Sequence, residues 1–231
     1  PDKVACLAVK SEVTLMAASP QWNGNKAYAS FKNNDGTPLV NTTYSEQKWK
    51  DAATAAKAVI TAAENSSEVR IALYRNDENG DGTFNPYKSV RNVHLEKWNC
   101  EVLWAVTKCD ANGFEKHACP RPGGWNGMAP TQRLVDAFYM ANGYTIDDEE
   151  GGYVEEGFAD EAHSNWLNDN VNEIRDGNSW GHRKGEWNMY ANREARFYAS
   201  ILYNGHPVLQ VAAADRDIYS SEKNKDGWGR V

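Results

Sequence analysis

The chain has 231 residues, 41% of them apolar, and a formal net charge of −7, long enough to bury a sizeable core. The acidic balance argues against nucleic acid as a partner, because phosphate binding needs clustered Lys and Arg, and is equally poor for an anionic membrane surface. No run approaches the roughly 20 apolar residues of a membrane span, and a start at Pro1 without Met or signal peptide reads as a processed or excised piece.

Residues 3–18 place Val4, Leu7, Ser11, Leu15 and Ala18 at helical spacing, with Cys6 as a small buried hydrophobe on the apolar face. The pattern stops at "SPQWNG", residues 19–24. Pro20 cannot continue a helix and pushes Ser19 towards extended geometry, and Asn23-Gly24 supplies a turn. Trp22 is expected to pack over the scaffold and orient the departing loop. Residues 46–64 predict a second helix, with Trp49, Ala52, Ala53, Ala56, Val59, Ile60 and Ala63 as one apolar stripe. Its alanines let another helix approach closely, as in solenoids, where each hairpin needs a neighbour to complete its core. Residues 1–70 therefore read as a helical scaffold segment and 71–231 as a loop-rich half.

Beyond residue 70, Gly, Asn and Asp become frequent, and long irregular stretches run near 75–98, 110–130 and 143–190. Loops of this length are usually functional or disordered, and their Trp and Tyr content argues against disorder. The segment "DENGDGTFNPYK" (77–88) resembles a calcium loop, with Asp77, Asn79 and Asp81 at positions 1, 3 and 5 and Gly82 at 6. Lys88 stands where a bidentate Glu is expected and Pro86 breaks the loop, so an Asx-rich turn is the plainer alternative. "EVLWAV" (101–106) predicts a short buried strand with Trp104 in the core. Cys100, Cys109 and Cys119 cluster around His117, but their spacing matches no paired-ligand zinc pattern; one disulfide among the three fits an oxidising compartment.

"APTQRLVDAFYMANG" predicts a short helix started by Pro130 and Thr131, with Leu134, Val135 and Phe138 as its stripe and Asn142-Gly143 as its stop. "NREARFYASILYNGHPVLQVAA" predicts a helical turn at Asn192 and a β-type run from Phe197 to Tyr203. A tight turn at Asn204-Gly205 and a return strand over Val208–Ala212 complete a small hairpin.

Four of these stretches, "AVKSEVTLMAASPQWNG", "KWKDAATAAKAVI", "GGWNGMAPTQRLVDAFYMANG" and "NREARFYASILYNG", follow one another in an order that resembles the SusD/RagB family of outer-membrane nutrient-binding lipoproteins. The resemblance implies a mainly α fold: a tetratricopeptide-like helical scaffold with an irregular loop-rich half of short helices and a small β-hairpin. It implies a non-catalytic protein that captures glycans, or in some branches peptides, at the cell surface. Such proteins are held to the outer membrane by a lipid and cap a TonB-dependent transporter. The chain departs from the family by omission, lacking the lipidated cysteine region, the first helical pairs and the usual carboxy-terminal stretch.

Sugar binding needs flat apolar platforms for the C–H face of a pyranose and polar side chains for its hydroxyls. The densest such mixture is "SNWLNDNVNEIRDGNSWGHRKGEW" (164–187), where Trp166, Trp180 and Trp187 are interleaved with Asn178 and Arg183; the alternative is that these rings fill a seam. Trp98, in a polar loop, is a further candidate. Trp125 belongs to the "GGWNG" turn and reads as packing. The pairs Glu149-Glu150, Glu155-Glu156 and Asp160-Glu161 offer carboxylates of the kind a glycosidase uses, but they sit amid glycines with little apolar cover and read as a solvated loop. There is no HExxH, nucleotide-type glycine loop or nucleophile elbow.

Overall fold

The computed structural model describes residues 2–67, 70–76, 83–106, 112–118, 125, 127–164 and 180–206. The chain forms two compact units, Pro1–Tyr74 with Trp98–Thr107 and Arg75–Lys97 with Lys108–Val231.

The first unit is built on a helix pair, α1 (Lys3–Ala18) and α2 (Glu46–Glu64). Asp2 opens α1 as its N-cap, its Oδ1 accepting from the Ala5 N–H at 2.8 Å. The stop at Ser19-Pro20 has a purpose beyond breaking the helix: it delivers Asn23, which is buried. Asn23 Nδ2 donates to the Ala18 and Ser45 carbonyls, and its Oδ1 accepts from the Ser45 N–H at 2.8 Å. One amide thus clasps the end of α1 to the N-cap residue of α2, which has no side-chain cap of its own. Trp22 stacks on Tyr28 with ring planes 2° apart, and its carbonyl accepts from Lys48 Nζ.

The two helices meet through small residues, Val4, Ala5 and Ala18 of α1 and Ala52 and Ala55 of α2. The stripe expected on α2 splits in two. Ala52 turns inward with Ala55, while Trp49 and Ile60 stay exposed, as do Val9, Val13 and Met16 of α1. Cys6 is exposed rather than buried, because the buried face of α1 runs through Val4 and Ala5.

The strand expected over 101–106 does not form. Asn99 sets up a turn instead, its Oδ1 accepting from the Glu101 N–H and its carbonyl from the Val102 N–H, which diverts the backbone from ladder pairing. Trp104, assigned to the core from the sequence, is 66% exposed.

Among the described residues the second unit carries four short helices, α3 (Pro86–Asn92), α4 (Asn112–Ala118), α5 (Gln132–Asp136) and α6 (Ala195–Ser200). Asn85 and Thr131 cap α3 and α5, and Pro86 takes the first position of α3. The core is aromatic: Tyr87 of α3, Val135 of α5 and Phe197, Tyr198, Ile201 and Tyr203 from α6 and its exit, with Phe138, Trp180 and Tyr190 packed against them. Tyr190 stacks on Tyr203 at 4.4 Å, and Phe138 meets Phe197 edge-on at 5.7 Å.

The first half of the expected β-hairpin is α6. Its buried residues Phe197, Tyr198 and Ile201 fall at i, i+1 and i+4, one face of a helix; strand alternation would have turned Tyr198 outward, although its hydroxyl donates to the Tyr190 carbonyl inside the core. Asn204-Gly205 does make a turn, the His206 N–H donating to the Tyr203 carbonyl, and the proposed return strand lies outside the described residues. The fold is mainly helical, with isolated antiparallel bridges at Lys32–Pro38, Met140–Arg193 and Phe158–Trp187.

Candidate ligand-binding surfaces

The second unit is organised by Arg193, which is 0% exposed. Its Nη2 donates to the carbonyls of Val135 and Phe138 at 2.8 and 2.9 Å, and Nη1 to that of Met189 at 3.1 Å. The guanidinium lies against the rings of Phe197 and Tyr153. Burial lowers its pKa, and the cation is held by carbonyl dipoles and π faces rather than by a carboxylate. Arg193 therefore caps α5 and fixes it against α6, which sets the frame for the loops between them.

Residues 157–163 run antiparallel to 182–188 within that frame. The Ala159 N–H donates to the Glu186 carbonyl, the Gly185 N–H to the Ala159 carbonyl and the His163 N–H to the His182 carbonyl, each at 2.8 Å. His182 is 2% exposed. Its Nδ1 accepts from the Asn192 N–H, which fixes the neutral tautomer in which Nε2–H donates to the Glu161 carbonyl. His163 packs on Trp180 at 5.0 Å; burial, with His182 adding, lowers its pKa to about 4. Gly181 between them has φ +106°, and a Cβ there would lie 2.5 Å from that of His163, so this close approach needs glycine.

The candidates from the 164–187 stretch fall as follows. Trp180 lies partly buried between Tyr87 and His163, stacked on Tyr87 with planes 3° apart. Trp187 is half-buried and meets Phe158 edge-on at 5.2 Å. Arg183 Nε pairs with Glu186 Oε1 at 2.8 Å, and its guanidinium also donates to the Gly205 carbonyl. Glu186 is buried and accepts from the Tyr203 hydroxyl as well; burial raises its pKa while Arg183 pulls it back. Trp166 and Asn178 lie outside the described residues, and so do Asp77, Asn79 and Asp81 of the calcium-like loop. Among the described residues, no three His, Cys, Asp or Glu side chains converge as metal ligands. Cys100 is a free thiol, and Cys109 and Cys119 lie outside the described residues.

Trp98 belongs to the first unit. It is 57% exposed and has φ +58°, left-handed backbone that a bulky side chain rarely adopts. The segment after it is anchored by the Ala72 N–H, which donates to the Cys100 carbonyl, and by Glu101, which accepts from the Tyr74 N–H at 2.8 Å. The backbone thus holds an indole out into solvent beside polar Asn99 and Glu101. The acidic side chains at 149, 150, 155, 156, 160 and 161 are all exposed.

Sequence reasoning missed Arg193, His163, His182 and Glu186. The available signal was an arginine set in the aromatic run "NREARFY" and histidines in loops that otherwise carry Trp and Tyr.

The profile described as the SusD family matches residues 101–229. Among solved structures, BT4246, a SusD-like Bacteroides protein, matches with a TM-score of 0.60 at 23% identity, over 86% of this chain and 36% of that one. Its selenomethionine form matches with a TM-score of 0.59 at 22% identity, over 86% and 37%. These likenesses show the fold, and the chain spans little more than a third of the solved chains it matches. No curated protein matches it. With the profile covering more than half of its length and a scaffold of that architecture, the chain belongs to the SusD family.

Proposed function

We propose that this chain is part of a cell-surface protein that captures glycans without cleaving them, for uptake through a TonB-dependent transporter. Residues 1–70 serve as its scaffold and 71–231 as its ligand-binding half, with attachment to the outer membrane through a lipid. The observation that carries the reading is Trp98, an indole held out on left-handed backbone beside Asn99 and Glu101, in a chain of the SusD family. A strained backbone that exposes a large apolar ring works against stability, and a pyranose face is a ligand that such a ring suits. Trp166, Trp180, Trp187, Asn178 and Arg183 form the second stretch assigned to the ligand. The exposed acidic runs support a non-catalytic protein.

Native-gel retardation against soluble polysaccharides tests the reading. At least one polysaccharide should retard the wild-type chain, and Trp98→Ala should weaken that retardation about tenfold, the scale of one stacked ring in an open site. Failure of every polysaccharide would turn the reading towards peptides, and reducing-sugar release on incubation would turn it towards an enzyme. A calcium ion held by Asp77, Asn79 and Asp81 is part of the same proposal. Its test is a thermal melt in calcium and in EDTA, and identical midpoints would remove it.

A further inference from the structure

Trp125, read from the sequence as packing, is 54% exposed. Its position is nevertheless well defined by backbone bonds to α4. The Trp125 N–H donates to the Lys116 carbonyl, and the N–H groups of Gly127 and Met128 both donate to the His117 carbonyl at 2.9 Å. A Cβ at Gly127 would lie 2.6 Å from His117 Nδ1, so the turn after the indole closes onto the imidazole only with glycine there. The His117 ring stands nearly perpendicular to the indole at 4.9 Å, and Lys116 Nζ lies 5.4 Å from the ring centroid. Both side chains come from the last turn of α4, where the Lys116 charge also offsets its C-terminal dipole.

Among the described residues this is the one tryptophan with a cationic side chain over its ring; the other cation–π contacts join Arg to Phe or Tyr. More than half of the Trp125 side chain is uncovered although backbone bonds hold it in place. An exposed ring face suits the C–H face of a sugar. An ammonium held at that ring suits a negative substituent on the sugar.

We propose that Trp125, Lys116 and His117 form a second glycan platform, selective for a pyranose that carries an anionic group, either a carboxylate or a sulfate. The ring stacks on Trp125, and Lys116 supplies the charge that separates acidic from neutral sugars. This inference rests on the glycan-binding reading above and adds the ligand's charge to it.

The test is calorimetric titration of the 231-residue chain with three probes: an oligogalacturonide, a κ-carrageenan oligosaccharide and a malto-oligosaccharide of equal length. One of the two acidic probes should bind about tenfold tighter than the neutral one at low salt, with the advantage shrinking as salt rises. Which acidic probe wins tells a carboxylate ligand from a sulfated one. Lys116→Gln, an exposed change that leaves the fold alone, should cut the acidic-to-neutral ratio to within about threefold of unity. Trp125→Ala should lose the acidic probe, with its thermal melt confirming that it folds. Equal binding of acidic and neutral probes, or a ratio unmoved in Lys116→Gln, overturns the platform while leaving glycan capture through Trp98 standing. Binding of neither acidic probe by the wild-type chain also overturns the platform, while glycan capture is decided separately by native-gel retardation.

Discussion

Lowering the pH from 7.5 to 5 tests the buried histidine pair. His163 lies 5.0 Å from Trp180, 5.7 Å from Tyr198 and 5.9 Å from His182. Desolvation, and then the neighbouring His182, lower its pKa from 6.5 to about 4. Between those two values the unfolded chain binds a proton that the folded chain refuses. Stability is therefore complete above pH 6.5, falls as the pH drops, and stops falling once both states are protonated below about 4. The slope is about 1.4 kcal/mol per pH unit, so at pH 5 this one side chain removes about 2 kcal/mol. His182, with its pKa also lowered by burial, adds in the same direction. The assay is urea unfolding followed by tryptophan fluorescence at both pH values, for the wild type and His163→Gln. The variant should lose about 2 kcal/mol less than the wild type over this interval, whatever its stability at neutral pH. Equal losses in the two chains would refute the reasoning, because the acid response would then lie elsewhere.

Other perturbations reach other parts of the structure. Arg193→Met leaves the carbonyls of Val135, Phe138 and Met189 without their donor and should cost about 3–5 kcal/mol by urea midpoint. Arg193→Lys keeps the charge but loses the planar fork, and should recover less than half of that. Gly181→Ala places a methyl 2.5 Å from the His163 Cβ at φ +106° and should cost at least about 2 kcal/mol in the same assay. Asn23→Ala opens the clasp between α1 and α2, at a cost of about 2 kcal/mol, and should accelerate amide hydrogen exchange at the start of α2. Trp98→Gly relieves a left-handed backbone, so thermal melting should show it neutral or up to about 1 kcal/mol more stable while polysaccharide retardation is lost.

Both long helices were legible because fifteen or more residues of consistent period leave little ambiguity, and the stops at Ser19-Pro20 and the cap at Thr131 are local chemistry. The side chains that fill each face were harder. Trp49, Ala52, Ala53 and Ala56 were expected on one buried stripe, but Trp49, Ala53 and Ala56 are exposed, and Ala52 is buried together with Ala55 from outside that stripe. The run from Phe197 to Tyr203 was misread because seven apolar-rich residues satisfy both periods, and the hydroxyl of Tyr198, which decides between them, bonds to a carbonyl eight residues away. "EVLWAV" had strand composition but pairs with no strand among the described residues. Arg193 showed in sequence only as an arginine beside an aromatic run, since its value depends on carbonyls 55 and 58 residues earlier. At the candidate surfaces the sequence supplied the residue types, while exposure separated Trp98 and Trp125 from the enclosed Trp180.

The grip of Arg193 on α5 also bears on how such a protein changes its ligand. That grip fastens the chain at both ends of residues 139–192, and the pairing of 157–163 with 182–188 fastens it again inside them. Closure entropy grows only with the logarithm of length, so doubling a fastened loop costs about 0.6 kcal/mol. Chain held between the two fastenings can therefore change in length at little entropic cost, whereas Trp180 and Gly181, inside the inner one, are tied to the aromatic core and to His163. The architecture separates inheritance of the frame from variation in the segments held between its two fastenings.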